Sequence, residues 1–78
     1  MELVLICNEE KIYEGEISQI EIETGNGKVT ILPNHQPYMT KISGKVLYTP
    51  INANEISLNI TEGFIYTDGT TCFAVVDK

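Results

Sequence analysis

The sequence predicts an all-β chain, an antiparallel β-sandwich or flattened barrel of two roughly five-stranded sheets. Three observations predict it. Apolar and polar residues alternate with a period of two, β-branched residues are abundant, and no window keeps a helical period. Every gap between apolar stretches carries turn residues. The chain has 78 residues, enough for one domain over 1–78 and a thin core that buries about 60 to 65% of the unfolded surface.

The alternation places strands at 2–7, at 11–23 with a bend near Gly15, and at 28–32, 38–42, 45–49, 54–61, 63–67 and 70–76. Thr24, Gly25, Asn26 and Gly27 suit a hairpin, because glycine and asparagine tolerate positive φ. Ser43 with Gly44, Pro50 to Asn54, and Asp68 with Gly69 mark the later turns. Ile20 and Ile22, Val29 and Ile31, and Ile56, Leu58 and Ile60 are expected to point inward, with polar neighbours between them facing solvent. The first and last strands break this pattern. Leu3 to Ile6 and Phe73 to Val76 are apolar on both faces, which fits either a central strand or a face covered by a partner.

Charge and composition exclude several functions. Eleven acidic residues against five lysines, with no arginine, leave a net charge of -6. Such a surface repels phosphate backbones and anionic headgroups, so no nucleic-acid partner is expected. No stretch approaches the roughly 18 apolar residues of a membrane span, so no direct membrane insertion is expected. Met1 leads directly into a strand without a basic start or cleavage site, implying a soluble chain in a reducing compartment. Cys7 and Cys72 are therefore expected to be reduced, half-buried strand residues, although neighbouring first and last strands make a disulfide conceivable.

The inventory for catalysis is poor: one histidine, two separated cysteines, no tryptophan, and carboxylates at alternating strand positions. His35 and the cysteines lack the close spacing of a zinc site, and no motif supplies an orienting carboxylate for a nucleophile. The segment Gly25 to Thr30 is not a phosphate loop. Ile22 stands where its first glycine belongs, Val29 stands where serine or threonine should follow Lys28, and a strand follows instead of a helix. The chain is expected to be no enzyme, with no cofactor and no metal. Glu9, Glu10, Glu14, Glu16, Glu21 and Glu23 form a solvated face or steer a basic partner. The tyrosines Tyr13, Tyr38, Tyr48 and Tyr66 serve a half-buried core or a protein contact.

The run Gly27 to Pro37, GKVTILPNHQP, ends a short apolar strand in a loop holding Pro33, Asn34, the only histidine and Pro37. Two prolines so close favour one loop shape, which suits docking better than catalysis. This run resembles the G-x-φ-x-I-L-P-x-H-x-P signature, φ aliphatic, of the epsilon subunit of F-type ATP synthases. The resemblance spans essentially the whole chain. It includes the aliphatic first strand, Tyr13 with Gly15, Glu16 and Ile17, Gly44 before an aliphatic strand, and Gly63 with Phe64. It departs at Cys7 and Asn8, where the family often has Thr and Pro, and at Glu62, which replaces the first glycine of Gly-Gly-Phe. Lys28 stands where an acidic residue is common, so a salt bridge of that sign is not carried over.

The resemblance implies the amino-terminal β-sandwich of a non-catalytic rotor subunit, peripheral at the cytoplasmic face of the inner (cell) membrane. Its partners would be the gamma subunit and the c-subunit ring, and it would couple proton transport to ATP synthesis. Family members usually add a carboxy-terminal helical pair that binds nucleotide in some bacteria. The 78 residues show no such segment, so no nucleotide binding is expected. Lys28, Asn34, His35 and Pro37 are the expected ring-facing residues, with His35 contacting the ring or bracing the loop. Tyr38, Tyr48, Phe64 and Tyr66 are the expected gamma-facing residues. A stand-alone β-sandwich binding an unrelated protein or glycan is the alternative, and a small enzyme a third reading.

Overall fold

Alternation along Glu2–Cys7 (β1) sends Leu3, Leu5 and Cys7 to one side, and that side is buried. The computed structural model describes all 78 residues as six strands, β1 followed by Glu10–Thr24 (β2), Gly27–Ile31 (β3), Tyr38–Pro50 (β4), Ile56–Thr67 (β5) and Thr71–Asp77 (β6). They form one sheet in the order β1-β6-β5-β4-β2-β3, and β1 also pairs with β2. Five strands thus close into a flattened barrel, with β3 alongside β2. Closure removes most of the unpaired edges that an open sheet would expose.

The all-β, flattened-barrel expectation holds, while the division into two separate sheets gives way to one sheet that curls on itself. One pairing is parallel: β1 lies beside β6, with Leu3 opposite Cys72 and Cys7 opposite Val76. Neighbouring first and last strands do not bring the cysteines together. Four ladder steps separate them, about 13 Å at strand spacing, beyond disulfide reach. Both are free and buried, and desolvation pushes the Cys72 thiol up to about 12. A thiol so rarely ionised is a core packing group, not a nucleophile.

Strands are fewer and longer than the alternation implied, because residues read as breaks are kinks. Ser43 and Gly44 lie within β4, where Gly44 takes φ +77° and the β2 register shifts around it. The Glu23 carboxylate fills the space over Gly44 and accepts the Lys45 N–H at 2.8 Å. Thr61 and Glu62 lie within β5, where a shift in its register with β4 moves the inward phase from Ile60 to Ile65. A similar shift between Ile17 and Gln19 lets Ile17, Ile20 and Ile22 all point inward. β2 runs unbroken past Gly15. Without a side chain there, the Tyr13 side chain folds back over the strand, its hydroxyl 3.1 Å from where a Cβ would sit.

The core is made of these inward rows, and Tyr48 belongs to it, capped by Tyr13 with ring centroids 4.9 Å apart. Its hydroxyl pKa is raised by desolvation and by Tyr13. Ile31 and Ile60 are buried, Val29 and Leu58 are half-buried, and Ile56 is exposed at the start of β5. Thr67 is the one buried polar residue. It donates to the Thr71 carbonyl and accepts the Gly69 N–H, each at 3.1 Å, so its burial costs little.

Candidate functional site

Two surfaces stand out, and the sequence builds each differently. The first is the loop after β3. Asn34 takes φ +68°, a conformation asparagine tolerates better than most residues, and its N–H donates to the Gly69 carbonyl at 2.8 Å. The His35 N–H bonds the Leu32 carbonyl at 3.2 Å. The His35 Nδ1 donates to the Gln36 carbonyl at 2.7 Å, and its ring lies 5.6 Å from that of Tyr38. Because a carbonyl only accepts, the proton of this bond sits on Nδ1. Half-buried His35 therefore braces the loop through both its backbone N–H and its ring.

The partner of that loop is the turn between β5 and β6. Gly69 takes φ +101°, and a Cβ there would meet the His35 carbonyl at 2.8 Å. Asp68 holds the turn from the other side: its Oδ1 accepts the Thr70 and Thr71 N–H groups at 2.9 Å each and the Thr70 hydroxyl at 3.0 Å. These bonds, with Thr71 foremost, lower its pKa from the ordinary carboxylate value. Leu32, Pro33, Asn34, Gln36 and Pro37 are exposed around this end.

Of the expected ring-facing residues, Asn34, His35 and Pro37 share this loop, whereas Lys28 does not. Lys28 stands opposite Glu23 in the ladder beside the β2–β3 hairpin, at the opposite end of β3. The short strand that carries both features also separates them.

The second surface is the outward face of β4, β5, β6 and β1. Met39, Phe64, Tyr66, Phe73 and Val75 are 71, 55, 43, 47 and 53% exposed. Ladder register puts them together: Met39 opposite Tyr66, Phe64 opposite Val75, and Tyr66 opposite Phe73. Half-buried Val4 and Ile6 extend the row, opposite Phe73 and Val75 on β1. A contiguous patch of large apolar side chains on a sheet face marks an interaction surface. β6 is both central in the sheet and bare on its outer face, so its double-sided apolar pattern is not explained by burial alone.

Of the expected gamma-facing residues, Phe64 and Tyr66 lie on this face. Tyr48 is in the core, and Tyr38 packs against the core from the inner side. The alternation of β4 turns both inward, as the burial of Ile42 and Val46 in the same phase shows. Met39, Phe73 and Val75 share this face and lie outside the expected set. For Phe73 and Val75 the signal was present, as an apolar outward phase on the last strand.

At the far end of this face a concavity of about 490 Å³ lies between the β2–β3 hairpin and β5, lined by Gly25, Lys41, Ser43, Glu62, Phe64 and Asp77 among others. No cluster of three or more histidine, cysteine or carboxylate side chains forms a metal site, and no helix is long and apolar enough to cross a membrane.

The family model for the β-sandwich domain of the ATP synthase delta/epsilon chain matches residues 1–78. The chain belongs to this family. It is 29% identical over 69 residues to the chloroplast ATP synthase epsilon chain of Bigelowiella natans, covering 86% of this chain and 50% of that one. It is 26% identical over 73 residues to the ATP synthase epsilon chain of Rhodococcus erythropolis, covering 91% of this chain and 60% of that one. The chain thus spans about half the length of the curated relatives it matches. Among solved structures, a chain of the Euglena gracilis mitochondrial ATP synthase with its c-ring superposes with a TM-score of 0.87 at 19% identity. That match covers 95% of this chain and 48% of the other, and it shows the shared fold.

Proposed function

We propose that this chain is a non-catalytic rotor subunit of an F-type ATP synthase, joining the gamma stalk to the c-subunit ring and so coupling proton transport to ATP synthesis. The observation that carries the reading is the family match over the whole chain. The two surfaces supply a division of labour. The braced loop with Asn34, His35 and Pro37 faces the ring, and the bare sheet face with Phe64, Tyr66, Phe73 and Val75 faces gamma. A subunit passing torque between two partners needs a body that does not deform, and a closed, close-packed barrel meets that need. Contact, not bond chemistry, is its work, peripheral on the cytoplasmic side of the cell membrane.

The test is purification of the ATP synthase from the source organism, with this chain expected to remain on gamma in the intact complex. A complete, coupled complex that lacks it would overturn the reading. Capture of a glycan or unrelated protein without affinity for gamma would favour the stand-alone binding module. In the recombinant pair, Phe73→Ser with Val75→Ser is expected to weaken gamma binding by about 100-fold, as loss of central apolar anchors does.

A further inference from the structure

The bare face is apolar through its middle and changes character at one end. The outward phase of β5 runs Tyr66, Phe64, Glu62, and that of β6 runs Phe73, Val75, Asp77. Glu62 and Asp77 stand directly opposite each other in the ladder. Like charges in that position repel, so the pair costs the isolated fold stability. Neither carboxylate has an ion-pair partner. The two salt bridges present join the Met1 amino group to Glu16 and Lys11 to Glu14, and Lys41, opposite Phe64, reaches neither acid.

Beside the pair lies the 490 Å³ concavity, and Phe64 lines both the concavity and the apolar face, making the two continuous. Gly25 of the β2–β3 hairpin forms part of its rim, and Glu62 and Asp77 both line it. An occupant must match two carboxylates that make no ion pair, with Lys41 on the same lining, at the end of an apolar strip on a chain of net charge -6.

Resting on the reading that gamma covers this face, we propose that the concavity receives a lysine or arginine side chain from gamma. Its charged head sits between Glu62 and Asp77, and its methylene stem lies along Phe64. A basic head gains charge-assisted hydrogen bonds and relieves the cross-strand repulsion, while an aromatic surface beside it favours a cation further. The arrangement fixes the register of docking along an apolar strip that could otherwise slide, since charge pairs at an interface set orientation more than bulk affinity.

The test measures binding of recombinant gamma to the full chain at 50 and 300 mM salt, for the wild type and for Glu62→Gln with Asp77→Asn. Melting temperature is recorded for each. The wild type is expected to lose affinity with salt. The double variant is expected to bind about 10- to 100-fold more weakly at low salt, to lose most of its salt dependence, and to melt at the same temperature or slightly higher. Wild-type binding matched by the variant within about twofold overturns this inference and leaves the rotor reading standing. Weaker binding with undiminished salt dependence also overturns it, because packing and not charge was then lost. Absence of any wild-type binding to gamma removes both readings. Loss of wild-type binding on chelation, recovered on adding calcium, would instead make the acids a metal site and overturn the basic side chain as occupant.

Discussion

The loop end and the sheet face of this barrel are both exposed, yet they are held by different means. The loop is specified by single hydrogen bonds onto the backbone, from main chain or from a polar side chain: Asn34 on Gly69, His35 on Leu32 and Gln36, and Asp68 on Thr70 and Thr71. The face is specified by periodicity, with outward rows repeated across four strands. A contact-built surface is sensitive to single backbone changes and indifferent to side-chain polarity around it. A ladder-built surface should tolerate polar substitution and fail only when the ladder is pushed apart.

The sharpest break is expected at Gly63, under the face. A Cβ there would stand 2.6 Å from the Val75 carbonyl and 2.9 Å from the Val76 Cα, both backbone atoms. No rotamer change relieves that, so Gly63→Ala must part β5 from β6. The expected loss is about 3 kcal/mol, read from urea unfolding, with a melting temperature lower by about 12 to 24 °C. Gly69→Ala tests the loop end. There the residue must hold φ +101° against the His35 carbonyl, but the obstructing atom belongs to a loop that can retreat. The expected loss is about 2 kcal/mol. It should come with faster amide exchange at Asn34, while exchange along β5 and β6 stays slow. Equal losses in exchange protection at both ends would mean that loop and face unfold as one unit.

The face itself gives the next contrast. Phe73→Ser with Val75→Ser removes apolar atoms already in water, so folding stability should shift by no more than about 0.5 kcal/mol. A fall as large as that of Gly63→Ala would mean that the face is part of the core.

Local pattern made most of the fold legible. Ile20, Ile22 and Ile31 face inward as alternation requires, and the Gly25 and Gly69 turns fall where turn chemistry put them. Illegible were events that depend on a neighbouring strand. Gly44 looks like a turn in isolation and becomes a kink because Glu23 of β2 occupies the space over it. The Ile60 to Ile65 phase change reads as a break unless the β4 partner is known. The same limit governs the surfaces. Tyrosine chemistry suits core and interface equally, and Tyr48 went to the core because Tyr13 of another strand covers it. The double-sided β6 allowed two explanations; its place between β1 and β5 meets the central-strand reading, and Phe73 and Val75 stay bare on its outer face.

The smallest expected effect probes the contacts of the loop end through pH. Asp68 has a lowered pKa in the folded chain because its carboxylate accepts the Thr71 and Thr70 donors, which an unfolded chain does not present. A group with a depressed folded pKa stabilises the fold above its unfolded value, about 3.9, and that contribution is lost as pH falls through the folded value. Asp68→Asn keeps an acceptor oxygen and removes the charge. The variant should therefore melt slightly below wild type at pH 6, and the gap should close as pH falls below 4. The side chain is exposed, so added salt should shrink the difference at pH 6. A gap that stays constant from pH 6 to pH 2 would show that turn geometry, and not the ionised carboxylate, holds the β5–β6 turn beneath the loop.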